Sequence, residues 1–209
     1  MFPLDKALML VIERGRLMAE AGAQFESGMA AVLGMDQQRL ESILLESKEK
    51  AVVVANYNCP GQIVISGEKA QLDSISDRLK EAGAKRVIPL KVGGAFHSPV
   101  MHPAAEGLAT YLTHIPVMDP VLPIVLNRTA EESKLGQEIK DQLPLQVKSP
   151  VRWEQSLRQL STKVTRFIEC GPGKVLQGLS KKTVDTPVVS VYNKESLESF
   201  LASNEGEST

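Results

Sequence analysis

Residues 28–92 constrain the fold more than any other stretch, because apolar runs and helical periodicity succeed one another there in a fixed order. Gly28 to Gly34 reads as a short strand, and Asp36 is placed to cap a helix reaching Lys48. Val52–Tyr57 and Gln62–Ser66 are β-rich runs joined by Asn58-Cys59-Pro60-Gly61, a hairpin turn. A helix over 69–82 places Leu72, Ile75 and Leu79 on one face and stops at Gly83. Val87–Val92 is the last strand. The order βαββαβ is that of a ferredoxin-like unit, expected over residues 27–92.

The flanking residues follow a different pattern. Residues 3–20 are helical from the outset, with Leu4, Leu8, Val11, Gly15 and Met18 recurring at three- and four-residue steps, as do Ala7, Val11, Arg14 and Met18. After residue 93 come a helix over 100–113, a buried strand over 121–126, and a polar loop over 127–136. A helical stretch broken at Pro144 follows, and Ser149-Pro150 opens a further helix carrying Trp153. Strands over 164–169 and 187–192 bracket a Gly171-Pro172-Gly173 turn and a short helix. Such alternation points to an α/β layer distinct from the ferredoxin-like unit. The larger subdomain is expected over 1–26 and 93–202, with a disordered tail at 203–209.

Composition narrows the function classes. With 24 basic and 25 acidic residues the net charge is -1, so nothing suggests a nucleic-acid partner or a membrane surface. No apolar run has the length of a membrane span. Cys59 and Cys170 have no metal-ligand spacing and fit free thiols in a reducing compartment. These features describe a cytoplasm-type soluble protein, with an organelle stroma or matrix left open. No metal-ligand cluster, Walker A sequence or G-x-S-x-G elbow is present.

Two residues stand out. His97 follows Gly93-Gly94 on a short strand-to-helix loop, where catalytic side chains are often held, although a loop histidine with no chemistry reads the same way. Arg14 lies on an apolar helix stripe, and a guanidinium there needs an anion. Either a structural carboxylate or a carboxylate or phosphate ligand satisfies that need.

Six stretches together resemble the malonyl-CoA:acyl-carrier-protein transacylases, the acyltransferase family of fatty-acid and polyketide synthesis. They are residues 13–18 (ERGRLM), 28–34 (GMAAVLG), 55–67 (ANYNCPGQIVISG), 94–99 (GAFHSP), 149–153 (SPVRW) and 169–176 (ECGPGKVL), in the family's order and spacing. The resemblance implies an α/β fold with a partial α/β-hydrolase-like large subdomain and an inserted ferredoxin-like small one. It implies a ping-pong reaction in which a serine takes malonyl from malonyl-CoA and yields it to the phosphopantetheine thiol of acyl carrier protein. It implies His97 as the base, Arg14 as the bidentate holder of the malonate carboxylate, and Gln146 as the residue whose backbone carbonyl orients the histidine. Phe96 takes the place of the bulky residue of malonyl-selective members. No cofactor is implied beyond the coenzyme A thioester that is itself the substrate, and no metal.

The family's G-H-S-x-G elbow and its Gln- and Gly-rich oxyanion loop would lie upstream of the Arg14 helix, and neither occurs in these 209 residues. The expectation is an N-terminally truncated large subdomain, with exposed apolar surface on the Arg14 helix and on the strands over 121–126 and 164–169, and no nucleophile in this chain. The alternative is a non-catalytic relative that binds acyl-CoA or carrier protein without turnover.

Overall fold

The computed structural model describes residues 1–49 and 51–204. The chain divides into two compact units, residues 1–156 and 157–209.

The first unit opens with α1 (Leu4–Ala23), followed by β1 (Ser27–Leu33), α2 (Gln37–Glu46), β2 (Val53–Cys59), β3 (Gln62–Glu68), α3 (Lys69–Glu81) and β4 (Arg86–Pro89). The four strands form one antiparallel sheet in the order β2-β3-β1-β4. Alternation along the strands sorts the sheet into two faces. Ala30, Val32, Ile63 and Ile65 pack with Leu40, Leu72, Ile75 and Leu79 from α2 and α3. Met29, Ala55 and Val64 point the other way, against Phe96. Asp36 caps α2 by accepting from the Arg39 N–H at 3.2 Å. Gly61 and Gly34 hold positive φ values, 71° and 72°, at the hairpin turn and the end of β1. The last strand is shorter than the periodicity suggests, ending at Pro89 with one further bond from Leu90 N–H to Met29 O.

A single 3-10 turn (Pro99–Met101) leads into α4 (His102–Leu112), then β5 (Ile124–Val125), β6 (Glu132–Ser133) and α5 (Gly136–Val147). Leu10, Met18 and Ala21 of α1 bury against Met101, Leu108 and Leu112, with Val147 closing the cluster from α5. Two expectations fail here. The strand over 121–126 shrinks to two residues in a β5–β6 hairpin, and Val121 is 99% exposed, matching the apolar surface expected there and not the buried strand. Pro120 and Pro123 flank it, and proline lacks the N–H that a ladder needs. The helix at Pro144 is not broken, since α5 runs through it. Pro144 lies in the last turn, so its missing N–H removes only one bond near the end of the helix.

Segment 150–152 then runs parallel to β2, with Tyr57 N–H donating to Val151 O at 2.9 Å and Val151 N–H to Ala55 O at 2.8 Å. The Arg152 guanidinium sits 5.6 Å from the centre of the Tyr57 ring. The sheet is thereby tied to the chain leaving α5.

After α6 (Trp153–Ser161), which crosses the boundary between the units, come β7 (Phe167–Cys170), α7 (Val175–Ser180), β8 (Val188–Val191) and α8 (Lys194–Asn204). β7 and β8 pair in parallel across α7. The Glu169 carboxylate accepts from Leu176 N–H, Gln177 N–H and Ser190 Oγ–H at 2.9–3.0 Å, fastening α7 to both strands. Ser203 and Asn204, placed in the expected tail, belong instead to α8, and the rest of that expectation, residues 205–209, lies outside the described residues. Among the described residues no helix is long and apolar enough to cross a membrane, and Cys59 and Cys170 form no disulfide.

Candidate active site

The site begins with the loop between β4 and the 3-10 turn. Gly93 and Gly94 bring the chain past the end of α1, and Ala95 and Ser98 are buried. Ser98 Oγ donates to Ala95 O at 2.6 Å and accepts from Val100 N–H at 3.3 Å, closing the turn and capping the next helical residues. His97 sits inside that closed turn with φ of 59°, a left-handed conformation unfavourable for a residue with a Cβ. Ser98, the serine adjacent to His97, already has both hydroxyl interactions engaged and serves as a cap.

His97 Nδ1 lies 3.0 Å from the backbone oxygen of Gln146. A carbonyl only accepts, so Nδ1 carries the proton and Nε2 is left with its lone pair. Gln146 is in the last turn of α5, where carbonyls lack onward helical partners and carry the negative end of the helix dipole. The Gln146 side chain donates to Ser149 O at 3.0 Å, which holds the turn after the helix in place. Burial pulls the His97 pKa below its ordinary value, the Gln146 carbonyl opposes that, and the nearby Arg14 cation adds to the lowering. The imidazole is therefore neutral near pH 7 and free to take a proton on Nε2.

Arg14 and Phe96 share a cavity of about 630 Å³ with His97, which Met18, Met29 and Asn56 also line. Arg14 is partly buried, and among the described residues it has no hydrogen-bond or ion-pair partner. Its neighbour Arg16 takes the carboxylates, binding Glu13 through Nε at 2.9 Å and also pairing with Glu20. Desolvation lowers the Arg14 pKa, as expected for a guanidinium held without a counter-ion. Of the two ways to satisfy this cation, a structural carboxylate is not supplied among the described residues. Phe96 bridges the helical cluster and the sheet face, so its ring forms a fixed wall of the cavity.

All four residues singled out from sequence lie in the first unit. Arg14, Phe96 and His97 meet at one cavity, and Gln146 reaches it through the bond to His97. Asn56 was missed, although it stands in the 55–67 motif; a β-bulge between Val54 and Asn56 turns it onto the cavity, and bulges leave no mark in the apolar pattern. A second cavity of about 530 Å³ opens on another side of His97, lined by apolar residues of α2 and β2 with Tyr57 and Lys148. Burial and the Glu41 carboxylate, 2.7 Å away, raise the Tyr57 phenol above its ordinary pKa, so that it stays a neutral donor. Among the described residues no group of three or more His, Cys, Asp or Glu could hold a metal ion.

Residues 3–201 match the acyl transferase domain family. The chain is 46% identical over 179 residues to the malonyl CoA-acyl carrier protein transacylase of Bacillus subtilis, covering 84% of this chain and 56% of that protein. It is 40% identical over 200 residues to the enzyme of the same name from Staphylococcus aureus strain MSSA476, covering 94% of this chain and 65% of the relative. Among solved structures, a malonyl-transacylase in complex with its type II polyketide-synthase acyl carrier protein superposes with a TM-score of 0.92 at 34% identity, over 97% of this chain and 67% of that one. The acyl carrier protein S-malonyltransferase of Vibrio cholerae gives 0.89 at 35%, over 95% and 66%. The chain therefore spans somewhat more than half to about two thirds of the length of these relatives, and α/β architecture is common to them.

Proposed function

The chain belongs to the acyl transferase domain family, and from that premise we propose that it supplies the base and the acyl-binding half of a malonyl-CoA:acyl carrier protein transacylase. The observation carrying this reading is Arg14, a partly buried guanidinium with no partner among the described residues, facing the same cavity as His97. A free carboxylate on the acyl group is the feature that separates malonyl from acetyl, and a planar guanidinium fork accepts it bidentately.

His97 Nε2 removes the proton from a serine hydroxyl as that oxygen attacks the thioester carbonyl. The coenzyme A thiolate leaves with that proton, and malonyl is held as a seryl ester. In the second half the phosphopantetheine thiol of acyl carrier protein gives its proton to Nε2, attacks the ester, and the serine oxygen is reprotonated. Gln146 keeps Nδ1 protonated throughout and its helix-terminal carbonyl steadies the imidazolium. Arg14 holds the malonate carboxylate while the Phe96 ring limits room beside the α-carbon. No cofactor beyond the thioester substrate enters these steps. The absence of disulfides among the described cysteines supports a cytoplasmic setting.

The serine belongs to a G-H-S-x-G elbow that these 209 residues do not contain. The Arg14 guanidinium at the cavity, unpartnered among the described residues, fits a second reading as well, a relative that binds acyl-CoA or carrier protein without turnover. Co-producing the chain with the elbow-bearing segment of a relative separates the two: malonyl transfer to carrier protein, absent from either part alone, supports the enzyme. A combined protein that binds malonyl-CoA but transfers nothing supports the binding-only reading.

A further inference from the structure

The helix that carries Arg14 also seats the loop that carries His97. Gly22 is in the final turn of α1, where glycine is a poorer helix former than alanine. A methyl group at Gly22 would stand 2.6 Å from Gly93 O and 3.3 Å from Gly94 Cα. A methyl on Gly94 would reciprocally stand 2.7 Å from Gly22 Cα. The two backbones touch with no side chain between them, an approach that only a glycine pair allows. Five residues further on, Ser27 Oγ accepts from the N–H of buried Ala95 at 3.1 Å. The loop is thus held from below at Gly94 and Ala95, and closed above by Ser98 on Ala95 O. Between these holds His97 keeps its left-handed backbone, which persists only where the surroundings enforce it.

We propose that Gly22 is a positioning residue for His97: its contact with Gly94, assisted by Ser27, sets the height of the loop at which Nδ1 meets the Gln146 carbonyl. Arg14 lies eight residues earlier on the same helix, about 12 Å along its axis. One rigid element therefore sets the places of both the base and the cation, and a shift of the loop off Gly22 moves one against the other. The catalytic meaning of this device rests on the reading of His97 as base, whereas the geometry it predicts is measurable without any turnover.

The test is the tautomer of the His97 ring at neutral pH, read from its ¹⁵N shifts in the 209-residue chain and assigned with His97→Gln. The wild-type chain is expected to hold the proton on Nδ1. Gly22→Ala lifts the loop, and the Nδ1–H population falls by about twofold or more in favour of Nε2–H. Ser27→Ala, which leaves the Ala95 N–H without its acceptor, shifts the population the same way and decides the matter if Gly22→Ala does not fold. Gly107→Ala is the control: a methyl there meets Leu17 Cδ2 at 2.7 Å, the end of a flexible side chain that can turn aside, so it perturbs side-chain packing while α1 and its contact with the loop keep their place. It is expected to keep the wild-type tautomer even if its stability falls. An unchanged tautomer in a folded Gly22→Ala, in Ser27→Ala where Gly22→Ala does not fold, or an equal shift in Gly107→Ala, overturns the proposal. A failure of malonyl transfer with the tautomer effects intact would instead count against His97 as base.

Discussion

Replacing Arg14 with methionine should strengthen the fold and weaken the site. The side chain keeps most of its apolar stem, and the variant removes a charge that has no partner among the described residues. Holding such a charge partly out of water is unfavourable; screening at this degree of exposure reduces the gain from its removal to about 1 kcal/mol. For a chain of this length that corresponds to a rise in Tm of about 2–4 °C. Binding moves the other way. Two charge-assisted hydrogen bonds to a malonate carboxylate contribute about 1.5–3 kcal/mol each, and partial exposure argues for the lower end. A loss of about 3 kcal/mol lowers malonyl-CoA affinity by roughly 100-fold. Acetyl-CoA has no free carboxylate, so its affinity should change little. Thermal unfolding and calorimetric titration with both thioesters test this together. Equal losses for the two thioesters, or a destabilised variant, would refute the argument that Arg14 is kept unpaired for an acyl carboxylate.

Further outcomes follow from other residues. The folded-state pKa of His97 is depressed, so the unfolded chain binds its proton first; stability is full above pH about 6.5 and falls as pH drops through the folded value. Denaturant midpoints across that window should decline less steeply in His97→Gln, and parallel profiles would contradict the lowered pKa. Glu169→Ala removes three hydrogen bonds that fasten α7 to β7 and β8, at a cost of about 1–3 kcal/mol, and faster amide exchange confined to residues 167–191 is the expected signature. Leu4, Leu8, Val11 and Ile12 on α1 are all more than half exposed, so the chain should bind a hydrophobic dye strongly. Leu8→Lys with Ile12→Lys should reduce that binding without loss of helix, and no dye binding by the parent chain would count against the exposed face.

Local chemistry made the ferredoxin-like sheet legible. Asp36, the Asn58–Gly61 turn and Gly83 each mark a boundary within a few residues, and the alternation of Ala30 and Val32 against Met29 assigns the faces. Arg14 was visible as an anomaly, a cation on an apolar stripe, but its lack of a partner needed the fold. Gln146 came only through resemblance, because the role proposed for it belongs to a backbone carbonyl that any residue could present. At Val121 the apolar run between prolines reads as a buried strand, and only the resemblance, with its missing neighbours, pointed to the exposure that the structure shows, because periodicity does not encode neighbours. The approach of Gly22 to Gly94 joins positions 72 residues apart, and nothing local announces it.

The central claim is that His97, oriented by the Gln146 carbonyl, is the base of malonyl transfer. The direct measurement is the rate of seryl-ester formation from labelled malonyl-CoA, in the chain combined with an elbow-bearing segment, with and without His97→Ala. The account predicts a fall of about 10²–10⁴-fold on removing the imidazole, with thioester binding retained. An ester that forms at the same rate without His97 would contradict it.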